Sequence, residues 1–115
     1  MLPESRKFLF DIRAAIDLLL QFTDGRTYEE YSQDATLRAA VERQFEIVGE
    51  GINQLSRIDP ETASRIAEFQ RIISFRNKLI HGYAHVDDRI VWGMIESRLP
   101  RLAREVVALF PDAAD

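Results

Sequence analysis

Apolar residues along this chain recur almost everywhere with the period of an α-helix. Phe8, Leu9, Ile12, Ala15, Ile16, Leu19 and Leu20 fall on one stripe, so the stretch from about Pro3 to Phe22 reads as an amphipathic helix that Asp24 and Gly25 end. Thr27 followed by Glu30 has the spacing of a capping box, in which each side chain satisfies a free backbone N–H, and this predicts a short helix. Leu37, Val41, Phe45, Val48, Ile52 and Leu55 step by alternating fours and threes, which makes the stretch from about Asp34 to Arg57 the most regular helix in the chain. Asp59 before Pro60, with Glu61 in the first turn, is an N-cap and helix start. That helix carries Ile66, Phe69, Ile72, Ile73, Leu79 and Ile80, with a bend expected near Glu68 and an end at Gly82. Asp87 and Asp88 open a final helix, expected to bury Ile90, Val91, Met94, Ile95, Leu99, Leu102, Val106 and Phe110. Pro100 lies inside it and should kink or split it, because proline removes an intrahelical hydrogen bond. The expected fold is all-α, an antiparallel bundle of four to five helices in a single domain over residues 1–115.

Composition agrees with a packed core. Of 115 residues, 46% are hydrophobic and 30% charged, with five Gly and four Pro. That is a globular balance at the size of one ordinary domain. The absence of cysteine rules out disulfides and thiolate metal sites. No apolar signal core opens the chain and no window is apolar enough to span a membrane, so a cytoplasmic location is expected. The net charge of −4 gives no long-range attraction for a polyanion, and contact with RNA would need a local basic patch.

The segment Phe75-Arg76-Asn77-Lys78-Leu79-Ile80-His81-Gly82-Tyr83 places a guanidinium, an amide, an imidazole and a phenol at one helix end. On an ideal helix Asn77 and His81 lie about 40° apart around the axis and Arg76 and Tyr83 about 20°, but Arg76 and His81 about 140°. Arg76 and His81 therefore share a site only if the helix unwinds at Gly82, or if two copies of the segment face each other across a two-fold axis, the arrangement favoured here. The plainer alternative is that His81-Gly82 simply ends a helix and Lys78 is solvated.

Arg-Asn-Lys-Leu-Ile-His-Gly-Tyr resembles the Arg-x4-His-x-Tyr signature of HepT toxins, within the HEPN ribonuclease superfamily. Glu46-Ile47-Val48-Gly49-Glu50-Gly51 is similar to the Ile-Gly-Glu-Ala stretch of the same family, with Gly51 where Ala is commoner. The resemblance implies a HEPN-like helical domain acting as the toxin of a type II toxin–antitoxin system. It also implies a cognate MNT-type nucleotidyltransferase antitoxin, bound as a hetero-oligomer, that transfers AMP onto the signature tyrosine, here Tyr83.

The chemistry can be argued from the side chains alone. Cleavage of RNA by its own 2′-OH needs a base, an acid and a cation for the extra negative charge on phosphorus. An imidazole exchanges protons near neutral pH, which suits His81. Arg76 is a permanent cation with a planar fork of donors that matches a phosphate. Asn77 could orient either group, and no cofactor or metal is required. Glu46 and Glu50 share a helical face and could position Arg76, or else pair with Arg43 or another nearby arginine.

His81 and His85 have the separation of a helical metal pair, but Gly82 interrupts them and no Glu occupies the HExxH position, so no metal site is expected. Arg98, Arg101 and Arg104 read as a solvated face, and Trp92, Phe69 and Phe75 as core or dimer interface. The rival to the ribonuclease is a non-catalytic helical module that binds a nucleotide or a protein through the same Arg76–Tyr83 end.

Overall fold

A computed structural model describes residues 2–81 and 86–110. Tyr83, His85 and the expected helix end at Gly82 lie outside the described residues. Helices are α1 (Pro3–Thr23), α2 (Tyr28–Gln33), α3 (Ala35–Ile58), α4 (Pro60–Ala63), α5 (Phe69–Ile80), α6 (Asp88–Gly93) and α7 (Leu99–Ala108), with a π-helical turn at Met94–Arg98 between the last two. No strand occurs among the described residues, and no helix there is long and apolar enough to cross a membrane.

The caps act as their residue types predict. Thr27 accepts from the Glu30 backbone N–H while the Glu30 side chain accepts from the Thr27 N–H, completing the capping box. Asp34 and Asp59 cap α3 and α4 by accepting from the N–H groups of Leu37 and Thr62. Asp87 accepts from the Arg89 N–H at the start of α6.

α1 and α3 run antiparallel: buried Ser5 donates to Asp59 (2.9 Å) while Ile12 lies against Gly51. α5 returns along α3, with Phe75 edge-on to Phe45 at 5.3 Å between ring centroids. The fourth long rod, α6 to α7, closes on α1 through Arg13 stacked over Phe110. Leu9, Ile12, Ile16, Leu19, Val41, Phe45, Val48, Ile52, Leu55 and Ile72 form the buried centre.

The structure departs from the periodicity in three places. The helix expected from Pro60 onward is interrupted: α4 stops at Ala63, Glu68 takes a left-handed conformation (φ 52°), and α5 begins at Phe69. Leu20, Ile80 and Ile90 are 40%, 43% and 57% exposed. Each stands about 100° around its helix from a better-buried neighbour, Leu19, Leu79 or Val91, which takes the inward position. The interruption expected at Pro100 takes the form of the π turn before it. The Leu99 N–H bonds back to the Met94 carbonyl, and Pro100 falls in the first turn of α7, where a missing N–H costs little.

Candidate active site

Arg76 lies on the last two turns of α5, on the side that faces α3, and reaches there because of Gly49. A Cβ at Gly49 would stand 2.2 Å from the Arg76 Cβ and 2.7 Å from its Cγ, so only glycine lets the arginine stem lie directly on the α3 backbone. One residue further along α3, Glu50 receives the guanidinium: Arg76 Nη2 donates to Glu50 Oε2. The other carboxylate oxygen accepts from Gln54 Nε2 at 2.9 Å, which holds Glu50 from a second side. Arg76 Nη1 donates to Asn77 Oδ1 at 2.7 Å. A guanidinium carries five N–H donors, so these two bonds fix the plane of the fork without using it up.

The Arg76 side chain is 20% exposed, half-buried against α3. Asn77 and His81 are exposed. His81 is the C-cap of α5; its backbone N–H bonds to the Asn77 carbonyl at 3.0 Å, and its own φ and ψ (−94°, 27°) leave the helical path one residue before Gly82. Arg76, Asn77 and Glu50 are thus brought together by side-chain hydrogen bonds, with His81 joined to Asn77 through the main chain. Glu46 turns away: it pairs with Arg43 at 3.3 Å on the same helix.

Gly49 is the residue that periodicity missed, although a glycine inside the most regular helix is itself a sign of close approach. The departure at Gly51 also has a local reason, since a Cβ there would sit 2.6 Å from Ile12 Cγ1 on α1. Arg98, read as solvated, instead has Nη2 buried, whereas Arg101 is exposed and pairs with Glu105 at 3.5 Å. Trp92 and Phe75 belong to the core, 7% and 6% exposed.

Residues 12–109 match the family model described as Ribonuclease HepT-like. A protein of Thermococcus cleftensis, named as a probable ribonuclease HepT, is 36% identical over 101 residues, covering 84% of this chain and 87% of its own. A Caldanaerobacter subterraneus protein named as a proposed RNase is 32% identical over 101 residues, with 88% of this chain and 89% of that protein covered. Another from Methanocaldococcus jannaschii is 30% identical over 107 residues, covering 93% and 91%. No solved structure gives a significant match. With a family match over most of its length and relatives at this level of identity, the chain belongs to the HepT-like ribonuclease family.

Proposed function

We propose that this protein is a metal-independent endoribonuclease, the toxin of a type II toxin–antitoxin system, with Arg76, Asn77 and His81 as its catalytic residues. The observation that carries the reading is the Arg76 fork, fixed from two sides by Glu50 and Asn77 on the turn that runs into His81. Family membership supplies the substrate class, RNA.

In the proposed reaction the ribose 2′-oxygen attacks the adjacent phosphorus and the P–O5′ bond breaks, leaving a 2′,3′-cyclic phosphate and a free 5′-hydroxyl. An imidazole takes the 2′-OH proton and an imidazolium gives one to the leaving O5′, roles His81 fills singly or with its copy in a second subunit. Arg76 neutralises the charge that builds on the phosphate oxygens. Glu50 keeps the guanidinium pre-oriented, and Asn77 ties it to the turn bearing His81.

Restraint of such an enzyme is assigned to an MNT-type nucleotidyltransferase antitoxin that places AMP on Tyr83, two residues beyond His81. An added phosphodiester there would compete for Arg76. Co-expression with that partner is expected to add the mass of AMP to Tyr83 and to silence cleavage, while Tyr83→Phe stays active and escapes. A fully inhibited complex with unmodified Tyr83 would show that inhibition is by occlusion.

The deciding experiment is incubation of purified protein with RNA in EDTA. Cyclic-phosphate ends should appear with wild type and fall by roughly 10²-fold or more with His81→Ala or Arg76→Ala. Loss of activity in EDTA overturns metal independence, and full activity of both variants overturns the catalytic roles. RNA binding without cleavage by wild type favours the non-catalytic module.

A further inference from the structure

Two of the helical glycines are explained by packing: Gly49 admits Arg76 and Gly51 admits Ile12. Gly93 on α6 is not, because a Cβ built there meets nothing within 4 Å. Only proline is less favourable inside a helix, so an unpacked glycine is a cost without a packing reason. What Gly93 does border is a cleft of about 580 Å³ between α6 and the Arg26–Glu29 segment, a size that small ligands occupy.

The walls of this cleft combine three chemistries. The Arg89 guanidinium lies over the Tyr28 ring, 5.5 Å from its centroid, so a cation and an aromatic face meet on one wall. Arg26 is exposed and pairs with Asp34 at 3.8 Å, a long ion pair that an anionic ligand can replace. Glu29 and Glu96 add carboxylates on the same lining. Two arginines and two glutamates on one lining suit neither a simple anion nor a simple cation. They suit a planar group with N–H donors joined to a phosphate, which describes a nucleotide.

We propose that this cleft binds one nucleotide of an RNA strand, its base against the Arg89–Tyr28 pair, its phosphate on Arg26, and Gly93 left bare to admit the ring. Guanidinium planes stack bases and bind phosphates, and carboxylates accept from exocyclic amines such as that of cytosine. Uracil carries carbonyls in place of that amine and is the disfavoured base. The choice of RNA over a free nucleotide rests on the ribonuclease reading and on position. Phe75 packs on Phe45, α5 continues from there toward the N-terminal end of α3, and at that end Arg38 pairs with Asp88 (3.9 Å) at the start of α6. The cleft and the His81 turn therefore occupy the same end of the bundle.

The test is fluorescence anisotropy of the full chain with labelled 2′-O-methyl decamers of cytidine and of uridine, which lack the attacking hydroxyl. The cytidine decamer should bind more tightly than the uridine decamer. Gly93→Leu, which fills the cleft from open space, and Arg89→Ala should each weaken it by about tenfold. Gly93→Ala should bind as wild type does and melt no lower. Wild-type affinity in Gly93→Leu overturns the site. Cytidine monophosphate competing as well as an unlabelled decamer overturns the RNA assignment in favour of a free nucleotide. Because the probe cannot be cleaved, a failure of the ribonuclease reading appears separately, as intact RNA in the cleavage assay.

Discussion

Gly49 sets how near α5 comes to α3. The atoms that a Cβ would strike are the Cβ and Cγ of Arg76, which are tied to the α5 backbone, so the two helices would have to separate. Alanine gains about 1 kcal/mol of helix propensity over glycine, but overpacking typically costs about 1–3 kcal/mol. Gly49→Ala is therefore expected to lower stability in urea unfolding and to lower cleavage more than the loss of fold explains, because Arg76 is pushed off Glu50. Glu50→Gln is the companion variant. It keeps the volume and removes the charge from a partly exposed pair, so stability should change by less than about 1 kcal/mol while the cleavage rate falls. Unaltered cleavage in both variants would remove any role for the α3–α5 contact in placing the arginine. Arg76, Asn77 and His81 stood out in the sequence through their side-chain chemistry together with the resemblance to the Arg-x4-His-x-Tyr signature, and the structure links Arg76 to Asn77 and Asn77 to His81. Glu46 and Glu50 were not separable, since they stand one turn apart on the same face and either can reach an arginine. The crossing of α5 at Gly49 makes the difference, giving Arg76 to Glu50 and leaving Glu46 with Arg43.

Among the elements, the α3–α4 junction is tied to the start of α1 by one carboxylate. Asp59 accepts from Thr62 Oγ1 at 2.7 Å and from buried Ser5 at 2.9 Å, in addition to capping α4. Hydrogen bonds from Thr62 first, then Ser5, hold its carboxyl below the usual aspartate range. The folded chain thus binds this proton less readily than the unfolded chain. Its contribution to stability is complete above the unfolded value of about 3.9 and is lost as pH falls through the folded one. Asp59→Asn keeps a capping oxygen but no titration, so the melting-temperature gap between wild type and variant should be widest near neutral pH and shrink below about pH 4. Parallel curves would refute the linkage. Asp59-Pro60 was readable as a helix start because the cap and the fixed φ of proline are local properties. The halt after Ala63 was harder to read. Ile66 and Phe69 continue a plausible stripe, yet the Ala67 N–H is taken by Glu105 of α7 at 3.1 Å, a partner 38 residues away that no local pattern discloses. Pro100 marked the interruption of the last rod, but whether a kink or a π turn absorbs it depends on how Ile95 and Leu99 both reach the core.

For the whole molecule, long helices with short connections made an all-α antiparallel bundle legible before any contact was known. The completeness of the site is a different matter. Arg76 faces α3, while the helix that carries it ends at Ile80 with His81 exposed beyond it. Ile80 and Ile90, 43% and 57% exposed, leave apolar surface near that end of the bundle, where a second copy can bury it. We therefore expect a homodimer in which the arginine of one subunit works with the histidine of the other. Subunit mixing tests this directly. Arg76→Ala and His81→Ala should each lose cleavage alone, but a heterodimer of the two carries one site with both residues native. Random reassortment makes half of the dimers mixed, so an equal mixture should recover about a quarter of wild-type cleavage under two-fold symmetry. If both residues act within one subunit, no mixture has an intact site and activity stays at the level of the single variants. Exchange must be verified by native mass spectrometry of differently tagged chains. A mixture that has exchanged and remains inactive would place the whole reaction within a single subunit.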